Sequence, residues 1–264
     1  MGFLDVLKKE RWTGGITIGI TTFERRFQTY FVPLVQQLRD IDPDIELVIA
    51  VNGEHDRRFS EPYRHAMLRF LADQPNIFPI TFPQFRGLAK LWNSIIISAS
   101  NDHILLLNDD VAITRKSFLD KVNTALVRNQ GRTFTINGSW SHFVVSRDEI
   151  DQLAYFDERL LGIGEEDGDM SWRYLERFGK PIADYSLSGI SNFSEATMAQ
   201  RPTNIACHSD SKYSRFNREF IYRIKYQKDP AGIKGMFDSP MAVNDPGQRQ
   251  YPYERYFRDN RSRL

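Results

Sequence analysis

Short apolar runs alternate with stretches of helical spacing through the first half of the chain. ITIGITT, Ile16 to Thr22, reads as a buried strand, and Phe31, Leu34, Val35 and Leu38 give Phe27 to Ile41 one apolar helical face. IELVIAV, Ile45 to Val51, is the next strand and stops at Asn52-Gly53, a turn pair. Ser60 is placed to cap a helix running to Ala72, with Pro62 tolerated in its first turn. IFPITF is a short strand in which Pro79 indicates an edge or an irregularity. Gly87 to Ser98 is helical, and HILLLNDDVAI, from His103 to Ile113, is an apolar strand that stops abruptly on Asn108-Asp109-Asp110. This β-α-β-α-β-α-β order predicts an α/β fold with a mostly parallel sheet flanked by helices.

The second half is less regular. A helix from about Ser117 to Asn129 precedes RTFTING and HFVVSR, both strand-like. An acidic loop containing glycines leads into a helix around Asp169 to Phe178. Leu187 to Pro202 is polar and weakly patterned, as in a mobile loop beside an acceptor. Tyr213 to Gln227 reads as a helix dense in aromatic and basic residues, and the Pro-, Tyr- and Arg-rich tail from Asp238 to Leu264 as a segment that wraps the surface or stays disordered. With no repeat and no low-complexity linker, the expected organisation is one domain over residues 1–227 and a helical or irregular C-terminal extension over 228–264.

Composition narrows the class. The 264 residues suffice for a large core, and 41% hydrophobic with 26% charged residues is ordinary for a soluble globular protein. Lys and Arg total 35 against 34 Asp and Glu, so no nucleic-acid partner is expected. Cys207 is the only cysteine, which excludes an internal disulfide or a Cys-rich zinc site and suits a cytoplasmic location. No apolar run has the length of a membrane span. MGFLDVLKKERW lacks the pattern of a signal peptide, and Val6 stands where a myristoylation signal needs Ser or Thr. Its Phe3, Leu4, Leu7 and Trp12 either dock on the domain or lie on a membrane surface. The tail, with Tyr251, Tyr253, Tyr256 and Phe257 among Arg255, Arg258, Arg261 and Arg263, leaves the same two readings open, packing on protein or peripheral contact at the inner membrane face.

Several enzyme signatures are missing: no G-x-G-x-x-G follows the first strand, and there is neither a P-loop nor a G-x-S-x-G elbow. Two acidic clusters remain. Ligands of open α/β sheets gather beyond the carboxyl ends of the strands, and the adjacent carboxylates of Asp109 and Asp110 repel each other unless a cation or a set of donors holds them. That turn is therefore either a polar cap or a metal and ligand site. In GIGEEDGDMSWR, Gly162, Gly164 and Gly168 surround Glu165, Glu166, Asp167 and Asp169 before a helix. A helix dipole favours one or two acids there. Four crowded ones point to a base or to a cation opposite them. Such a pair of clusters fits transfer of a sugar from a nucleotide: an attacking hydroxyl needs a carboxylate to take its proton, and a diphosphate leaving group calls for Mn²⁺ or Mg²⁺ on oxygen ligands.

From Ile16 to about Tyr226 the sequence resembles the GT-A-fold glycosyltransferases, specifically the large inverting family two. ITIGITTFERR is similar to that family's first strand and nucleotide turn, LVIAVNGEHD to its second strand and base-binding turn, and FRGLAKLWNSII to its Gly-x-x-x-x-x-Asn helix. LLLNDDV occupies the DxD position, and FDERLLGIGEEDGDMSWRYLERFG is similar to the family's acidic block, the most specific of these matches.

The resemblance implies a role for each matching residue. Thr21, Thr22 and Glu24 would border the nucleotide, and Asn52 and Gly53 would line the base pocket. Asn93 and Asn108 would stand at the donor, Asp109 near its ribose and Asp110 on the metal, while Asp167 would be the catalytic base with Glu166 beside it towards the acceptor. His208 falls where many GT-A enzymes place a late metal-ligand histidine. Three positions depart from the family: Asn108 replaces the usual first aspartate of DxD, Trp92 an arginine often found before Asn93, and Asn52 a frequent aspartate. Arg86 and Lys90 either supply the missing positive charge to the phosphates or are surface charges of an amphipathic helix. The resulting expectation is a metal-dependent inverting glycosyltransferase with a nucleotide-sugar donor, a UDP-sugar first, and a saccharide or lipid-linked saccharide acceptor, in surface polysaccharide or glycolipid synthesis. The alternatives are a nucleotidyltransferase of the same architecture, which TTFERR disfavours by lacking a glycine, and a non-catalytic nucleotide- or glycan-binding module.

Overall fold

The apolar runs become the centre of one sheet. In the computed structural model, which describes residues 15–54, 57–192 and 212–226, β1 (Ile16–Phe23), β2 (Leu47–Asn52), β3 (Ile77–Thr81) and β4 (His103–Asn108) run parallel. β7 (Ser139–Ser146) pairs antiparallel with β4 and with β6 (Phe134–Ile136), which continues parallel to β8 (Ala183–Tyr185). The order β3-β2-β1-β4-β7-β6-β8 is a mostly parallel mixed sheet, the α/β class expected. β3 is its edge, where Pro79 costs no ladder hydrogen bond to a further strand. β5 (Val111–Ile113) and β9 (Ile190–Asn192) form a small antiparallel pair beside it.

Helices cover both faces, which is why the central strands are apolar on both sides. Ile18, Ile20, Leu105, Leu107 and Val144 pack against α1 (Val32–Ile41), α2 (Glu61–Ala72) and α4 (Phe118–Arg128). Val48, Ala50, Leu106, Phe143 and Val145 pack against α3 (Leu88–Ser98), α5 (Arg147–Gln152) and α6 (Glu166–Phe178). α3 is buried from Ala89 to Ile96, so Trp92 is a core residue on Phe143 and Phe156, with ring centroids 5.1 and 4.9 Å away. Ser60 caps α2 as expected, its hydroxyl accepting from the Tyr63 amide at 3.2 Å. α6 begins at Glu166 rather than near Asp169, because three acids in its first turn suit the positive end of the helix. The strand read as HFVVSR ends one residue early, at Ser146, and Arg147 begins α5, for which no element was expected. β9 occupies part of the stretch expected to be loop, since Ile190 adds to the core.

α7 (Lys212–Glu219) and the π-helical turn that follows, Phe220–Lys225, are held by buried charge. Lys225 Nζ lies 2.8 Å from Asp157 and 2.6 Å from Asp169. Arg159 and Arg173 pair with the same two carboxylates, and the Tyr226 hydroxyl donates to Asp169 at 2.7 Å. Burial alone would push both acids up, but Lys225 with Arg159 and Arg173 holds them below the usual carboxylate range. The N-terminal amphipathic segment, Cys207, His208, residues 193–202 and the extension over 228–264 lie outside the described residues.

Removing one member of a buried charge group leaves the others uncompensated, at a cost of about 3 kcal/mol or more. Lys225→Ala is therefore expected to lower unfolding free energy by about that amount. Denaturant titration at pH 7 measures it, and a loss below about 1 kcal/mol would show the network to be dispensable.

Candidate active site

The ends of β1, β2 and β4 lie side by side, with Thr21 in register with Asn108 and Phe23 with Asn52. Directly after β4 come Asp109, fully buried, and Asp110, at 8% exposure. The cation that such a pair requires is Arg26. Its Nη1 stands 2.8 Å from Asp109 Oδ1 and its Nη2 2.5 Å from Asp110 Oδ2. The guanidinium lies over the rings of Phe23 and Tyr30, 5.3 and 5.4 Å from their centroids. Burial pushes the Asp109 carboxyl up to about 6, with Arg26 pulling the other way and Asp110 adding to the rise. With both carboxylates ionised, the trio keeps one net negative charge.

Thr21, Thr22, Phe23, Arg26 and Asn108 form one wall of a cleft with about 490 Å³ of empty space, its open mouth included. Asn52 at the end of β2, Phe85 and Arg86 in the loop before α3, and Leu88 and Leu91 on α3 line it from another side. The Asn52 amide donates to the Arg86 carbonyl and accepts from the Arg86 N–H, both at 2.9 Å, so this side chain anchors the loop. Gly53 is required there, since a Cβ would come within 2.5 Å of the Pro83 carbonyl. Gly162 and Ile163 close the remaining wall. The Leu88 N–H donates to the Gly162 carbonyl at 2.7 Å, joining the N-terminus of α3 to the acidic loop.

That loop is held in unusual backbone geometry. Gly162, Gly164 and Glu165 have φ of 60°, 120° and 76°. A left-handed non-glycine residue costs energy and must be held by its surroundings, and α7 does the holding. Asn217, fully buried, accepts from the Leu161 N–H at 2.7 Å and donates to the Leu161 and Gly164 carbonyls at 2.8 Å. Arg218 reaches Glu165 at 3.1 Å, and the Tyr213 ring occupies the space a Gly162 side chain would need.

The four acids have separate fates. Asp169 belongs to the buried charge group and Glu165 pairs with Arg218. Glu166 is 3% exposed, and burial pushes its carboxyl up to about 8 although the Gly164 N–H donates to it at 2.7 Å. Asp167 is half-buried and accepts from the Gly168 N–H at 2.8 Å.

The cleft brings together Thr21, Thr22, Asn52, Arg86 and Asn108 of the residues singled out in the sequence, with Asp109 and Asp110 behind Arg26. Three others are engaged elsewhere. Glu24 accepts from the Ser60 amide and hydroxyl at 2.9 and 2.7 Å, which fastens α2. Asn93 donates to the Phe156 carbonyl and to Glu158 at 2.9 Å. Lys90 is 3.4 Å from the Glu158 carboxylate and buried, so it is not a surface charge. His208 is outside the described residues. Sequence reading passed over Arg26 and Asn217. The demand of Asp109-Asp110 for a cation was a signal for the first, and nothing local marked the second.

No protein-family model and no curated protein matches the chain. Solved structures do match in fold. S. aureus TarS is similar at 14% identity and TM-score 0.51, over 65% of this chain and 35% of that one. The mannosyltransferase PcManGT from Pyrobaculum calidifontis, solved with GDP-Man and Mn²⁺, is similar at 11% identity and TM-score 0.52, over 66% of this chain and 55% of that one. Glucosyl-3-phosphoglycerate synthase from Mycobacterium tuberculosis, solved with Mn²⁺, UDP and phosphoglyceric acid, is similar at 13% identity and TM-score 0.50, over 68% of this chain and 71% of that one. The chain thus spans about a third of the length of TarS and just over half that of PcManGT. The fold is the GT-A glycosyltransferase fold.

Glu166 sets a pH dependence. Its folded pKa of about 8 lies above the ordinary 4.5. The folded state therefore binds more protons than the unfolded one between those values, and stability falls as pH rises through that window. Glu166→Gln should flatten this fall, read as melting temperature from pH 5 to pH 9 in both proteins. Parallel curves would show that Glu166 does not titrate in the folded state with a raised pKa.

Proposed function

We propose that the protein is an inverting glycosyltransferase that moves a sugar from a nucleoside diphosphate to an acceptor hydroxyl, in assembly of a surface polysaccharide or glycolipid. One observation carries the reading: the acidic loop bearing Glu166 and Asp167 lines, through Gly162 and Ile163, the same cleft as Thr21, Arg26 and Asn108 at the strand ends. That shared loop supports reading Asp167 as a base that works next to a charge-bearing donor site on a GT-A scaffold. Arg86, in the cleft wall, faces the diphosphate, and Asp167 takes the proton of the attacking hydroxyl as the anomeric carbon is approached. Burial keeps Glu166 protonated at neutral pH, so it serves as a hydrogen-bond donor towards the acceptor and leaves the base role to Asp167. The donor is a UDP-sugar in the first instance; GDP-Man and UDP are held by the similar PcManGT and synthase structures.

The donor set suits a divalent cation. Among the described residues no three His, Cys, Asp or Glu side chains converge on one point. Mg²⁺ and Mn²⁺ sites at phosphates need only one or two protein carboxylates, the remaining ligands being water and substrate oxygens. Asp110 has a partly exposed side chain, and the trio it shares with Arg26 and Asp109 keeps a net negative charge that would repel a bare diphosphate. Asp110 would hold the ion, with Asn108 beside it and His208 as a later ligand. Bound there, Mn²⁺ or Mg²⁺ supplies positive charge to the leaving diphosphate.

Asp167→Asn keeps size and hydrogen bonding but loses the proton acceptor, and should cut transfer by about a hundredfold to ten-thousandfold while donor affinity stays close to wild type. The donor is first found by thermal shift with UDP-, GDP-, CDP- and dTDP-sugars, with and without Mn²⁺. Transfer by Asp167→Asn at near wild-type rate would place the base elsewhere.

A further inference from the structure

Two polar residues on strands paired with the chain around Asp110 take no part in the chemistry described so far. β7 runs antiparallel to β4 and sets His142 opposite Leu107, one residue before Asn108. His142 is 3% exposed, and neither ring nitrogen has a hydrogen-bond partner. It is close enough to Asp110 for that carboxylate to oppose the effect of burial on the ring, which is to favour the neutral imidazole. β9 sets Asn192 opposite Val111, the residue after Asp110. Asn192 Oδ1 is likewise buried without a partner.

A buried polar atom with no partner is costly, and native folds keep few of them. Packing alone does not call for polarity at His142. Val144, two residues along β7 on the same face, fills its place with an apolar side chain and no exposure. Two such groups, on strands paired with the residues just before and just after Asn108-Asp109-Asp110, mark a place that lacks its ligand.

We propose that His142 and Asn192, beside Asp110, form a subsite for the hydroxyl groups of the transferred sugar. This rests on the glycosyltransferase reading and adds the residues that recognise the sugar. A neutral imidazole offers one donor and one acceptor, and an amide oxygen only accepts. Sugar hydroxyls both donate and accept, so they satisfy both groups. A phosphate oxygen, acceptor only, would leave Asn192 Oδ1 unmatched.

The test uses the full chain labelled with ¹⁵N-histidine, the His142 signal being assigned by its loss in His142→Phe. UDP, GDP, UDP-glucose, GDP-mannose and Mg²⁺ alone are added in turn. A sugar nucleotide should move the His142 resonances, and the matching diphosphate alone should not. His142→Phe and Asn192→Ala should each weaken sugar-nucleotide binding about tenfold, the equivalent of one hydrogen bond, and leave diphosphate affinity at the wild-type value. If His142→Phe does not fold, the wild-type resonances and Asn192→Ala still decide. Unmoved resonances and unchanged affinities, with nucleotide binding intact, would overturn the subsite and leave the glycosyltransferase reading standing. Movement with Mg²⁺ alone would make it a cation site and overturn the proposal. Failure of wild type to bind any of these nucleotides would overturn both.

Discussion

Two carboxylates on consecutive residues at the end of a buried strand can persist only if their charge is met, and here Arg26 meets it from the turn after β1. Asp109, with no exposure, has no water to fall back on. The guanidinium fork bridges both acids, and its faces rest on Phe23 and Tyr30, so one side chain ties the first strand's exit to the fourth's. The cleft wall depends on this tie. Without it, Thr21 and Asn108 would still be neighbours through the sheet, but the turn carrying Asp110 would lose its tie to the exit of β1.

The opposite wall depends on a different kind of support. Backbone at φ of 60°, 120° and 76° does not hold itself, and the hydrogen bonds that fix it come from Asn217, more than fifty residues further along the chain. α7 is in turn fixed by Lys225 between Asp157 and Asp169. The crowded acids therefore divide into two whose charge is met by cations of the scaffold, Glu165 and Asp169, and two, Glu166 and Asp167, to which the proposed function assigns the chemistry. Crowding in the sequence marked the loop as special, but only the distribution of partners separates these roles.

The first half of the fold was readable because its strands are covered on both faces, so apolar periodicity tracked β1 to β4 and the helices between them to within a few residues. The short α5, β8 and β9 carry too few residues to show a period. Asp109-Asp110 and the glycine-flanked acids stood out because so many carboxylates in so few residues demand partners from elsewhere in the chain. What escaped was set by pairing across the sheet. Asn52, a turn residue by its sequence, holds the Arg86 backbone with both ends of its amide. Asn93 and Lys90 looked like donor contacts because they sit on the right helix, yet α3 turns them towards Glu158. His142 lay in a strand pattern where an imidazole reads as one more half-buried residue, and only the register against Leu107 brings it to Asp110.

The long reach of Asn217 has a consequence for the order in which the cleft is assembled. Synthesis delivers the chain from its N-terminus at about 5–20 residues per second, and segments begin to fold as they emerge. The strands that carry Thr21, Asn52 and Asn108 are complete well before α7 exists, so the wall built on Arg26 can close while the loop at Gly162 still lacks the hold of Asn217. A nascent or truncated chain ending before residue 212 would then have one finished wall and one loose one. Competence for the whole site arrives as a late event, set by a helix that contributes none of the carboxylates itself.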